Sequence, residues 1–179
     1  MKSVKIKVHC FFLVSMFMSY QSVKAANTVE RIGDVLQVLL PVTGYIVTQD
    51  VSDPEGRSQL FESLFSTLAI TFGLKLTVNK ERPNGGSYSF PSGHTSAAFC
   101  GAAFMQKRYG WKYGIPAYLL ASFVGYSRVE SNHHYWEDVA AGTFLGVVCT
   151  YFFTKPFGRM SLKPVALNDC YGIYFQIKW

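Results

Sequence analysis

The sequence is short of charge. Asp, Glu, Lys and Arg make up only 16% of its 179 residues, against roughly 25% in an ordinary soluble domain. With 49% hydrophobic residues, a disordered chain is excluded. Its four cysteines, Cys10, Cys100, Cys149 and Cys170, form no CxxC pair and no Cys/His metal spacing, which excludes a disulfide-stapled miniprotein. Cys100 and Cys149 lie in apolar runs and read as small buried hydrophobes. No structural disulfide is expected, with a Cys170 pairing left open. There is no internal repeat, low-complexity tract or linker, so the length favours one domain. Aromatic residues are abundant at 16%, yet no Arg/Lys-aromatic interleaving of an RNA reader accompanies them, so no nucleic acid is expected. An excess of 17 Lys and Arg over 11 Asp and Glu, net +6, suits anionic substrates or lipid headgroups. The mean hydropathy of +0.14 is compatible with both a membrane and a soluble protein.

Period-2 alternation is also missing through the apolar runs, which argues against strands there. Five segments read as helices, at about 29–47, 58–79, 94–108, 113–126 and 134–154. Breakers separate them: Asp53-Pro54-Glu55-Gly56, Pro83-Asn84-Gly85-Gly86 and Tyr109-Gly110. The expected fold is an all-α bundle of about five to six helices, membrane-embedded, with its active site at one end. Residues 1–25 read as an export signal or a first membrane helix: Lys2, Lys5 and Lys7 precede an apolar run, and a small residue, Ala25, ends it, with Val23 departing from the A-x-A pattern. Residues 26–179 form the single domain. The predicted helices are short for spanning, and a soluble bundle is the competing reading. Charge placement favours the membrane. With a cytoplasmic N-terminus and alternating segments, Lys107, Arg108, Lys112, Lys155, Arg159 and Lys163 fall inside. The tail beyond Ala166 alternates loosely and is not assigned.

Three clusters carry chemistry. Lys75 and Arg82 are seven apart, on one face if a helix runs that far, and Pro83 turns the chain out. Two cations there suit a dianionic phosphate, although a solvated basic helix end would look the same. In Pro91-Ser92-Gly93-His94, Ser92 can cap a helix, Gly93 admits close approach, and the free amides form an anion site with His94 in the first turn. In Ser127-Arg128…His133-His134…Asp138, His134 and Asp138 stand i, i+4. The carboxylate can accept the Nδ1 proton and leave Nε2 as a free lone pair. Around these, Lys80 and Glu81 read as solvent-facing, His133 as a surface histidine, Ser87 and Ser89 as polar loop residues, and Glu137 as a helix-start acid. Tyr135 and Trp136 suit a membrane interface or simple packing.

Taken together, Lys75-x6-Arg82-Pro83, Pro91-Ser92-Gly93-His94 and Ser127-Arg128-x5-His134-x3-Asp138 resemble the three-part signature of the type-2 phosphatidic acid phosphatase superfamily, with every defining position matched in order. The stretch Arg82–His94 is similar to small lipid A phosphatases of Gram-negative envelopes. The resemblance implies an enzyme, a phosphatase acting on a lipid phosphate such as lipid A, undecaprenyl pyrophosphate or phosphatidic acid. His134 would be the nucleophile and Asp138 would orient it. His94 would be the acid and then the base. Lys75, Arg82, Ser92, Gly93 and Arg128 would bind the phosphate. It implies no cofactor and no metal, a membrane, no obligate protein partner, and a bacterial inner-membrane location facing the periplasm. A soluble periplasmic acid phosphatase and a vanadium haloperoxidase are the alternatives on the same signature. A metal hydrolase using His94, His133, His134 and Asp138 is disfavoured by the cations around them.

Overall fold

The computed structural model describes residues 28–158, 160–167 and 170–177. The expected leader at 1–25 lies outside the described residues. Five helices run up and down: α1 (Thr28–Asp50), α2 (Pro54–Val78), α3 (Gly93–Tyr109), α4 (Trp111–Glu130) and α5 (Trp136–Phe153). They are 17 to 25 residues long, longer at most ends than the spacing predicts. A helix of about 20 residues spans roughly 30 Å, the thickness of a bilayer core. The unassigned tail forms an antiparallel hairpin, β1 (Met160–Leu167) and β2 (Cys170–Ile177), with Met160 opposite Ile177. The bundle is therefore helical as expected, with this one addition.

Local chemistry explains the boundaries. Asp53 caps α2, accepting from the Gly56 amide at 2.9 Å, and Pro54 occupies the first helical position. Asn79, in the left-handed conformation, stops α2 four residues before Pro83. The helix thus does not run on to Arg82, which lies in the loop rather than on a shared helical face with Lys75. Ser92 caps α3 as its sequence suggests, its side chain accepting from the Thr95 amide at 3.4 Å. His134 lies ahead of α5, whose cap is Tyr135. The i, i+4 pair is therefore not on one helical face, and a loop brings His134 to Asp138.

α3 is the hub. Ala98, Ala102 and Phe104 are completely buried, packed with Leu40, Leu60, Ala117, Ala121 and Val124 of the surrounding helices. On two of the helices it touches, the buried face is otherwise rich in small and polar residues while bulky apolar residues face outward. On α2 the buried face carries Gln59, Ser63, Thr67 and Thr71, while Phe65, Ile70, Phe72 and Leu76 are exposed. On α1 the buried Gly33, Gln37, Gly44 and Thr48 oppose exposed Ile32, Val35, Leu39 and Ile46. The inner hydroxyls are satisfied within their own helices, Ser63 by the Gln59 carbonyl and Thr67 by the Ser63 carbonyl, both at 2.7 Å. Small and polar residues inside, with bulky apolar residues outside, are what a bundle needs when its solvent is hydrocarbon. α1 and α2 are both long and apolar enough to cross a membrane.

The end of the bundle remote from His134 is held by a buried ion pair. Arg108 donates to both Asp53 oxygens, at 2.7 and 2.6 Å, and to the Lys155 carbonyl at 2.8 Å; the Tyr109 hydroxyl donates to Asp53 at 2.9 Å. Arg108 is thus neutralised inside the protein and adds nothing to the surface charge that the sequence suggests. Breaking a buried pair strands one charge, at a cost of about 3–5 kcal/mol. Asp53→Asn is expected to lower the detergent-phase unfolding temperature markedly while leaving turnover per folded molecule unchanged. A thermal melt alongside an active-site titration checks this.

Candidate active site

The other end of the bundle collects the three clusters. Five helix ends and two loops converge there because α1, α3 and α5 begin at this end while α2 and α4 finish at it. Two glycines on α5 permit the approach. A Cβ at Gly142 would lie 2.5 Å from the Ser92 carbonyl, and one at Gly146 would lie 2.5 Å from the Ser96 carbonyl. This close crossing lets the Ser92 amide donate to the Asp138 carbonyl at 2.9 Å. The capped end of α3 is so tied to the start of α5.

Asp138 is the centre of a buried network. Its side chain has no exposed surface. It accepts from the Ser89 hydroxyl, from the Tyr135 amide at 2.9 Å and from the Lys80 ammonium at 2.9 Å. His134 Nδ1 is 3.7 Å from the same carboxylate oxygen that Ser89 binds, and 3.4 Å from the Ser89 hydroxyl. Ser89 therefore stands between the imidazole and the carboxylate. His134 itself is buried, with Nδ1 turned to this pair, which leaves Nε2 for other work. Burial comes first in pushing the His134 imidazole well below the usual histidine range. The charges of Lys75, Arg82 and His94 add to it, and Asp138 opposes them. These effects favour the neutral imidazole, in which one ring nitrogen keeps a lone pair. Lys75, Arg82 and His94 are thus close enough to act on it electrostatically.

The cations are held by the main chain. Lys75 donates to the carbonyl of Tyr88 at 2.8 Å, and Arg82 Nε donates to that of Ser87 at 3.1 Å. Each keeps N–H groups in reserve. Arg128 is buried and more fully committed. Its Nε donates to Ser127 at 3.1 Å, Nη1 to Asp34 at 2.7 Å and Nη2 to the Glu30 carbonyl at 2.7 Å. Two of the five donors of a guanidinium remain. His94, in the first turn of α3, has its Nε2 3.2 Å from the same Asp34 oxygen.

Several residues take roles that the sequence did not suggest. Lys80 is not solvent-facing: it binds Asp138 and, at 2.8 Å, Glu137. Partial desolvation works against its charge, but the two carboxylates outweigh it and hold its pKa above the usual lysine value. Ser89 is fully buried rather than a polar loop residue. His133 is half-buried, 2.7 Å from Glu30 and 3.2 Å from the Asn84 amide nitrogen. Asp34, on the first helix, belongs to no motif. Its signal is faint: one of three acids in α1, with Glu30 and Asp50, marked only by a preceding glycine in Gly33-Asp34. Glu81, Tyr135, Trp136 and Glu137 are exposed, and Cys100 and Cys149 are buried and unpaired.

An imidazole backed by a buried carboxylate, a second imidazole, three cations and a capped helix N-terminus are the kinds of group that moving a phosphoryl group calls for, since it needs positioning and charge neutralisation above all. Set at the end of an apolar-surfaced bundle, they define a membrane phosphatase by class. The relatives agree. The sequence matches the PAP2 superfamily over residues 84–159. It is 30% identical over 175 residues to the lipid A 4'-phosphatase of Helicobacter pylori strain J99, covering 87% of this chain and 88% of that one. A lipid A 1-phosphatase of Helicobacter pylori strain 26695 is 28% identical, over 58% of this chain and 60% of its own length. The fold is similar to the crystal structure of Aquifex aeolicus LpxE, with a TM-score of 0.58 at 21% identity, covering 70% of this chain and 85% of that one. The chain belongs to the PAP2 superfamily and is a phosphatase.

Proposed function

We propose that this phosphatase removes phosphate from a membrane glycolipid of the lipid A class, through a phosphohistidine on His134 and without a metal. The reading is supported by the similarity along nearly the whole chain to a lipid A 4'-phosphatase. The observation that carries it is the position of the site: the end of a bundle whose flanks are apolar is where a lipid headgroup presents its phosphate. In the first half-reaction the Nε2 lone pair of His134 attacks phosphorus, the P–O bond to the sugar breaks, and His94 gives its proton to the departing oxygen. Asp138, through Ser89, holds the His134 ring and offsets the charge it gains. In the second half His94 takes a proton from water, the hydroxide attacks phosphorus, the P–N bond breaks, and inorganic phosphate leaves. Lys75, Arg82 and the remaining donors of Arg128, with the Ser92–Gly93 helix start, hold the nonbridging oxygens.

Exposed Lys112 and Lys155 lie at the end remote from His134, which the positive-inside rule assigns to the cytoplasm. The site then faces the periplasm from the inner membrane. The test is phosphate release by the purified protein in detergent, in the presence of EDTA, from lipid A, undecaprenyl pyrophosphate, phosphatidic acid and p-nitrophenyl phosphate. An acid-labile, alkali-stable phosphoprotein is trapped in parallel. EDTA-resistant release from the glycolipid with such an intermediate is the expected result. Release from another lipid alone would replace the substrate. Release abolished by EDTA would end the metal-free mechanism.

A further inference from the structure

Asp34 is the one carboxylate that touches both His94 and Arg128 among the described residues, and no motif accounts for it. Its Oδ1 lies 3.2 Å from His94 Nε2 and 2.7 Å from Arg128 Nη1. α1 comes close enough because Gly33 has no side chain. A Cβ there would fall 2.0 Å from the Ser127 hydroxyl and 2.7 Å from Arg128 Nη2. The same stretch gives the Glu30 carbonyl to Arg128 and the Glu30 carboxylate to His133. The start of α1 is thus built against the site as one of its walls, and Asp34 remains partly exposed within it, with 42% of its side-chain surface open.

An imidazole held by a carboxylate on one nitrogen works through the other. We propose that Asp34 is a positioning residue for His94: it accepts the Nε2 proton, orients the ring so that Nδ1 exchanges protons with the substrate, and favours the charged, proton-donating form against burial and the neighbouring cations. This rests on the reading of His94 as the acid and base given above. As the sugar–oxygen bond to phosphorus breaks, the Nδ1 proton passes to the departing oxygen, and His94 becomes neutral with Nε2–H still on Asp34. In the second half Nδ1 takes the proton of the attacking water and the starting state returns. The charged or titratable groups near His94 are Arg128 on α4, His133 and His134 in the loop before α5, Lys75 on α2 beside Gly93, and Asp34 on α1. Of these only Asp34 is anionic, while the carboxylates of Glu30 and Asp138 bind His133 and Lys80. Without Asp34, burial and these cations would act unopposed on the proton that the leaving group needs.

The test compares Asp34→Asn, Asp34→Glu and His94→Ala with the parent in single-turnover quench experiments that follow phosphoenzyme formation. A sugar or alkyl phosphomonoester has a leaving oxygen that must be protonated; p-nitrophenyl phosphate does not. Asn keeps the size and the acceptor, so the fold is retained, and a thermal melt verifies it. For Asp34→Asn, the alkyl rate is expected to fall by about 10²-fold, the lower range for general acid catalysis, and the aryl rate by only a few-fold. The basic limb of the alkyl profile moves to lower pH, because a ring deprived of its carboxylate loses its proton sooner as pH rises. Asp34→Glu restores part of the alkyl rate. Equal losses on both substrates with an unmoved pH profile would overturn the proposal. So would a lower KM at unchanged kcat, which would make Asp34 a competitor of phosphate for Arg128. The underlying assignment is checked separately: if His94→Ala slows alkyl and aryl substrates alike, His94 is not the acid. If His94→Ala discriminates and Asp34→Asn does not, only the role of Asp34 fails.

Discussion

His134→Ala is expected to lower kcat/KM by about four orders of magnitude or more, since it removes the atom that would bond phosphorus. The loss should be in kcat, with KM nearly unchanged, because the phosphate is held by Lys75, Arg82, Arg128 and the start of α3 rather than by the imidazole. No phosphoprotein should accumulate on alkaline quench. The parent enzyme has a matching pH signature. Burial and the surrounding cations keep His134 unprotonated well below the usual histidine range, so activity should not fall through pH 6 for want of a free nucleophile. Steady-state rates of parent and variant from pH 4 to 9 check both points. Activity that survived the substitution, or that tracked an ordinary histidine pKa on the acid side, would remove His134 from the reaction. The depressed pKa carries a stability consequence of definite sign. The native state binds fewer protons than the unfolded chain, so this histidine favours folding above its unfolded pKa, about 6.5. That contribution is lost as pH falls from there toward the folded value.

The second large effect is expected at Asp138. Replacing it by Asn keeps the shape and removes the charge in a fully buried position. Lys80 loses its buried partner, and the Asn amide can present N–H where the Ser89 hydroxyl and His134 Nδ1 need an acceptor. A ring held in the wrong tautomer loses its Nε2 lone pair, and comparable changes in His–Asp pairs cost about 10⁴ in kcat. A loss of about 10³–10⁴-fold is expected here. Ser89→Ala removes only the bridge and should cost about 10- to 100-fold, as one hydrogen bond to a charged group is worth about 1.5–3 kcal/mol. If Ser89→Ala cost as much as Asp138→Asn, Ser89 rather than Asp138 would be the group that sets the ring. If Asp138→Asn were nearly silent in kcat while lowering the melting temperature, the network would be structural.

Much of the site is legible one residue at a time, for chemical reasons. Ser92 after Pro91 reads as a cap because a hydroxyl before an apolar run satisfies free amides, and it caps α3. Lys75, Arg82, His94, Arg128, His134 and Asp138 stand out because charged and imidazole side chains are scarce in so apolar a chain. Local rules misled where a loop replaced a helix. Asn79 in the left-handed conformation ends α2 before Arg82, and His134 precedes its helix. The pairings with Lys75 and Asp138 are therefore made by chain folding rather than by helical spacing.

The sequence by itself determined the helical, apolar character of the chain and the residue types of its chemistry, because periodicity, capping and scarcity are local properties. Only the tertiary structure decided which groups serve that chemistry. Lys80 and Ser89 reach Asp138 from 58 and 49 residues away, and Asp34 reaches Arg128 across 94. Such contacts depend on where α1 and α5 cross their neighbours. The crossings depend in turn on the missing side chains of Gly33, Gly142 and Gly146, whose significance appears only when another backbone or side chain lies where a Cβ would have been.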